Sequence, residues 1–184
     1  MRRPTALLAV AGLVLTLLSV LTATAPSASA VVRRDDPDDS PVALDTRVVR
    51  LFASFRGTVT TQMIGSRYAY GKKFNGIEVY YDTRGGRGAD YRLIWGFNRD
   101  GDRYQQFGLY RVQGRRVLAP VPCRGLDAKA RPRKRTIEVY VPRACLSITK
   151  RPGVYTQSWD YTRYRDGRPV RGRVDRAPDR GYVR

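Results

Sequence analysis

From Thr46 onward the chain runs in short stretches of β-branched and aromatic residues divided by Gly, Asp and Pro. "IEVYYDT" (77–83) sets Ile77, Val79 and Tyr81 on one side of a strand, and "DYRLIWGF" (90–97) does the same with Tyr91, Leu93, Trp95 and Phe97. Strict alternation of this kind marks a half-buried strand. "TRVVRLFASF" (46–55), "TVTTQM" (58–63), "RYQQFGLYRV" (103–112), "RRVLAPV" (115–121), "TIEVYVP" (136–142) and "VYTQSWDYTR" (154–163) complete a set of about eight strands. Beyond the first thirty residues no stretch holds apolar residues at sustained helical spacing. The pattern predicts an all-β protein, an antiparallel β-sandwich of jelly-roll type.

The ends read differently. Arg2 and Arg3 precede an apolar run from Ala6 to Leu21, and Ala28-Ser29-Ala30 supplies the small residues of a cleavage site. This is the pattern of a secretory signal peptide, 1–30, cut after Ala30, with Ala25 as the alternative. The run is too short for a comfortable bilayer span, so no transmembrane anchor is expected. "DDPDDSP" (35–41) is acidic and broken by proline, and 31–45 is expected to be an exposed leader rather than a strand. The sandwich then occupies 46–164. The tail, 165–184, has seven arginines and two prolines and is expected to be partly ordered, with room for one edge strand at Pro169–Val174.

Two loops have the composition of binding sites. "NRDGDRYQQF" (98–107) alternates Asn98, Asp100 and Asp102 around Gly101, a spacing of oxygens that suits calcium. Arg103 and Leu109 stand where an EF-hand loop needs glycine and glutamate, and Arg99 and Arg103 put positive charge where the dication would sit. Asp-Gly between two apolar runs is a hairpin corner. "DTRGGRGADY" (82–91) resembles a phosphate cradle, yet a strand follows the glycines instead of the helix that mechanism requires. It reads as a mobile strand connection in which Arg84 and Arg87 are placed to hold an anion by charge. A long loop, "IGSRYAYGKKFNG", fills 64–76.

Charge changes the picture more than any motif. The chain has 35 Lys and Arg against 16 Asp and Glu, a net +19. Without residues 1–30, and hence without Arg2 and Arg3, 154 residues and +17 remain. Residues 31–45 contain five aspartates and two arginines, so the rest nets +20. Thirty of the 35 cations are arginine, to which the codon bias of a GC-rich genome contributes. The functional consequence is attraction to polyanions. Cys123 and Cys145 are the only cysteines, and in an exported protein they are expected to form a disulfide.

Much chemistry is excluded. The chain has no histidine, so the usual serine and cysteine triads and histidine-ligated metal sites cannot be assembled. Glu78 and Glu138 are the only glutamates, each opposite the apolar set of its strand, where they face solvent or pair with arginine rather than form a glycosidase dyad. Asp82, Asp90 and Asp160 stand at strand ends, where salt bridges account for them. Neither an enzyme, a cofactor nor a metal is expected. The candidate ligand-binding residues are Tyr80 and Tyr140, opposite the apolar faces of their strands, with Trp95, Trp159, Arg84 and Arg87. Aromatic rings beside arginines form a platform for sugars or polyanions. Rings covered by loops are simply core.

Asp36-Pro37, Asp39, "LDTRVVR" (44–50), "VYYDTRGGRGADYRL" (79–93), "TIEVYVPRACL" (136–146) with Cys123, and "DRAPDRGYV" (175–183) carry a resemblance. The chain resembles a group of small secreted actinobacterial proteins of uncharacterised function, themselves distantly similar to jelly-roll carbohydrate-binding modules. The resemblance covers nearly all of 31–184 and implies a β-sandwich with a lean toward glycan binding. The expectation is a secreted, monomeric, non-catalytic protein that binds an anionic or carbohydrate polymer of the cell envelope, with no specific nucleic acid. The alternatives are a hydrolase of unusual Asp/Tyr chemistry and a structural envelope protein without a ligand.

Overall fold

The computed structural model describes residues 30–37, 45–53, 57–65, 74–86, 88–97, 104–114, 116–148, 150–165 and 168–184. The residues before Ala30 expected as a signal peptide, 38–44 of the expected leader, 66–73 of the long loop, Arg87 and the expected corner at 98–103 lie outside the described residues. The strands are β1 (Ala30–Asp35), β2 (Thr46–Ala53), β3 (Thr58–Gly65), β4 (Phe74–Asp82), β5 (Tyr91–Phe97), β6 (Tyr104–Gln113), β7 (Arg116–Pro120), β8 (Asp127–Arg131), β9 (Thr136–Pro142), β10 (Gly153–Arg165) and β11 (Arg168–Ala177). Two short 3-10 turns, Pro132–Lys134 and Arg143–Leu146, flank β9. The strands form two antiparallel sheets, ordered β1-β2-β3-β9-β8 and β11-β10-β4-β5-β6-β7. The expected β-sandwich is present.

One core joins the sheets. Val49, Leu51, Val59, Met63, Ile137, Val139 and Val141 come from the first sheet; Ile77, Val79, Tyr81, Tyr91, Leu93, Trp95, Leu109 and Val154 come from the second. These are the alternate positions that the sequence pattern marks, because strand side chains point to opposite faces with a period of two. Burying one leucine or valine of this set contributes on the order of 1.5–3 kcal/mol. The fully buried Tyr81 shares a 3.5 Å hydrogen bond with Thr61 of the opposite sheet, which satisfies its hydroxyl.

Three strands depart from expectation. The segment expected as an exposed leader supplies β1, paired with β2 from Ala30↔Ala53 to Asp35↔Val48. Asp36 is buried beyond it and accepts the backbone N–H of Asp179 at 2.9 Å. β8 pairs only with β9 and has no β-branched residue; Ala128 and Ala130 pack on the core while Asp127, Lys129 and Arg131 are exposed. In the tail, β11 extends past the expected edge strand to Ala177. Asp175 accepts the N–H of Thr46 at 2.9 Å, and Val183 bridges to Val154. β5 and β6 pair as antiparallel neighbours up to Phe97↔Tyr104.

The disulfide forms between Cys123 and Cys145, with Cα atoms 5.5 Å apart. It ties the segment after β7 to the turn after β9 and so encloses β8, the first 3-10 turn and β9.

Candidate functional site

The two outer faces of the sandwich are unlike. On the six-stranded sheet, strand register places Tyr80, Arg92 and Tyr155 side by side. The rings of Tyr80 and Tyr155 stack with centroids 4.4 Å apart, and Tyr182 meets Tyr155 edge-on at 5.2 Å. Arg92 lies over Tyr80, Arg176 over Tyr155 at 4.4 Å, and Arg184 over Tyr182. Glu78, which the pattern turns toward solvent, is buried here in a salt bridge to Arg92. It also accepts the Tyr80 hydroxyl at 2.5 Å. Burial first, then Glu78, pushes the Tyr80 phenol well above its ordinary value, and burial with Tyr182 pushes Tyr155 up to about 12. These are protonated, mutually satisfied rings, and the C-terminal residues form part of their cover.

Next to that ladder the glycine-rich loop is pinned rather than mobile. Asp82 Oδ1 accepts the backbone N–H of Arg84, Gly85 and Gly86 at 3.2, 2.7 and 3.2 Å. Its Oδ2 accepts from Arg184 at 2.6 Å, and the Asp82 side chain is fully buried. The loop is a cradle of amides that holds its own carboxylate, which explains the resemblance to a phosphate loop. Asp90 closes the other end, accepting the N–H and hydroxyl of Thr83 and pairing with Arg84. Asp82 and Asp90 are salt-bridged as the sequence suggests, and Asp160 is buried in the middle of β10 rather than at a strand end.

The five-stranded sheet presents an open outer face. Register aligns Arg50 with Gln62, Gln62 with Glu138 and Glu138 with Lys129. Glu138 is the hub: it accepts Gln62 Nε2 at 3.0 Å, Arg131 Nε at 3.1 Å and the Tyr140 hydroxyl at 2.6 Å. Those bonds, the Tyr140 hydroxyl first and Gln62 and Arg131 after it, hold the Glu138 carboxyl below the ordinary range against the opposing effect of burial. Lys129 rests 5.5 Å from the Tyr140 ring centroid. Planar amide, carboxylate, guanidinium and phenol groups thus lie in one hydrogen-bonded layer on the outer side of this sheet.

A cluster of exposed cations lies on the rim of this face. Arg124, Lys129, Arg131, Arg133, Lys134 and Arg135 are all exposed between Cys123 and the start of β9, with Asp127 the one carboxylate among them. Among the described residues, Arg124, Arg133 and Lys134 have no carboxylate within salt-bridge distance. Arg135 holds a left-handed backbone, φ 51°, at the end of the 3-10 turn and returns its N–H to Pro132. Such conformations are sparsely populated for residues with a side chain. The bend carries the cations of the turn around the end of the sheet.

The six residues singled out from the sequence therefore do not converge. Tyr140 belongs to the open face and Tyr80 to the covered one on the other side. Trp95 is core, opposite Ile77 in register and edge-on to Phe107, because its position in β5 points at the other sheet. Trp159 is buried above Gly76, so neither tryptophan presents a stacking surface. Arg84 is exposed and engaged with Asp90, and Arg87 lies outside the described residues. The rim itself was missed as a site. Its mark in the sequence is "RGLDAKARPRKR" (124–135), six cations in twelve residues. Compared with known proteins, the chain matches no family model and no curated protein. No helix among the described residues is long and apolar enough to cross a membrane, and the disulfide is compatible with an extracellular protein.

Proposed function

We propose that the protein is exported and non-catalytic, and that it binds an anionic, glycan-type polymer of the cell envelope on the outer face of the five-stranded sheet. The observation that carries this reading is the pairing of a fixed polar layer around Tyr140 and Glu138 with the exposed basic rim 124–135. The layer offers hydrogen-bond donors and acceptors already ordered, which lowers the entropic cost of holding a sugar. The rim offers charge to a polymer whose counterions are released on binding. The leader sequence and the disulfide support export. The resemblance to small secreted proteins that are themselves distantly similar to jelly-roll carbohydrate-binding modules agrees with the sugar component.

The alternative, a hydrolase of unusual Asp/Tyr chemistry, is less well supported at Tyr80, since a nucleophilic phenol needs a lowered pKa and this one is raised. The test is co-sedimentation of the purified protein with peptidoglycan carrying or lacking teichoic acid, across a salt series. Retention that requires the anionic polymer and falls steeply with salt supports the proposal. Retention on neutral glycan that ignores salt points to a sugar-only module. Absence of binding at low salt leaves a structural protein.

A further inference from the structure

At one end of the sandwich, between the pinned glycine loop and the edge strand β7, lies a cleft of about 280 Å³ lined by Arg84, Asp90, Tyr91, Arg111, Leu118 and Ser147 among others. Its charge is not balanced. Both oxygens of Asp90 are already committed, Oδ1 to Arg84 and Oδ2 to Thr83. Arg111 is different: its guanidinium lies 6.0 Å from the Tyr91 ring centroid and has no carboxylate partner among the described residues. Cation–π packing leaves the N–H groups of a guanidinium available in its own plane, which is how arginine receives a carboxylate bidentately.

Two further features aim the cleft at a ligand. Ser147 lines it with a left-handed backbone, φ 50°, one of two described residues other than glycine with positive φ. This is the C-cap of the 3-10 turn Arg143–Leu146, whose closing bond from the Ser147 N–H to Ala144 fixes the residue at the cleft wall. Leu118, half exposed, and the fully buried Leu146 give the cleft an apolar wall beside the cation. The volume corresponds to roughly nine waters. It admits a small ring or a short chain and no polymer.

The geometry points to a second binding site here, independent of the polymer-binding face: a cleft for a small monoanion with an apolar body, an aromatic or short-chain carboxylate, held by Arg111 and Ser147 against Leu118. The carboxylate head group pairs with the Arg111 guanidinium, and the body covers Leu118. A dianion gains little, because Arg84 is already neutralised by Asp90.

The probe is sodium benzoate, titrated into the full folded protein and followed by backbone amide NMR, with benzamide as the uncharged isostere and sodium chloride at matched concentration. Saturable shifts at Arg111, Leu118 and Ser147 are expected with benzoate, and none with benzamide or chloride. Arg111→Gln should weaken benzoate about tenfold, the loss of one charged hydrogen-bonding pair. Leu118→Ser should weaken benzoate and leave acetate unchanged. Both residues are exposed, so an unchanged amide spectrum elsewhere verifies the fold. Shifts that do not saturate, shifts confined to the 124–135 rim, or a benzoate affinity untouched by Arg111→Gln would overturn the assignment.

Discussion

Removing the disulfide tests how the basic rim is held. The bridge spans 22 residues, from the segment after β7 to the 3-10 turn after β9. Closing a loop of that length removes chain entropy worth about 3 kcal/mol from the unfolded state. For a chain of this size the same figure corresponds to a fall in melting temperature of roughly 10 °C. The effect should also have a local part. β8 pairs only with β9, over five residues from Asp127↔Tyr140 to Arg131↔Thr136, so without the bridge its anchor is a single ladder and two alanines on the core. The double variant Cys123→Ser/Cys145→Ser should therefore be about 3 kcal/mol less stable in urea unfolding followed by the fluorescence of the buried Trp95 and Trp159. Amide exchange should rise more in β8 than in β4. A loss below about 1 kcal/mol, or equal exchange in both strands, would show that the bridge does not constrain this lobe.

Three other perturbations test the outer faces. Gly76→Ala puts a Cβ within 2.3 Å of the Trp159 ring, in strand backbone with no room on that side, and should cost about 1–3 kcal/mol in thermal unfolding; a neutral result would mean Trp159 is not seated there. Asp82→Ala strands three backbone amides and the Arg184 guanidinium, and should cost at least about 2 kcal/mol while accelerating amide exchange at Gly85 and Gly86; unchanged exchange would refute the pinned loop. Glu138 has a lowered folded-state pKa, so its contribution is present above the ordinary carboxylate value of 4.5 and disappears as pH falls through the lower folded value. The melting-temperature gap between wild type and Glu138→Gln should be open at pH 7 and narrow progressively as pH falls below the ordinary carboxylate range; a constant gap would contradict the hub role.

The central strands were legible because β4, β5 and β9 are buried on their inner faces, and burial imposes the two-residue period that the sequence displays. β1 and β8 were not legible. Edge strands need only one partner and one half-covered face, so "AVVRRD" ends in three charged residues and "DAKAR" carries alanines where central strands carry valines. Glu78 shows a different limit. Alternation turned it away from the core correctly, but nothing local says that Tyr80, Arg92 and Tyr155 stand around it, contacts that link residues far apart in the chain. Chemistry alone makes the tryptophans candidate stacking residues, and register decides their burial. The rim was visible as composition yet had no meaning as a site until β8 was placed beside β9.

The most direct test of polymer binding through the rim is the salt slope of affinity for purified teichoic acid, wild type against Lys129→Gln/Arg131→Gln/Arg133→Gln/Lys134→Gln. These four side chains are exposed, and none belongs to the core. For a flexible polyanion each cation engaged contributes about 0.7 to the slope of log K against log salt, so the quadruple variant should lose close to 3 units of slope along with its affinity. A wild-type slope near zero, or a variant that keeps the wild-type slope, would contradict the proposal that this rim carries the binding.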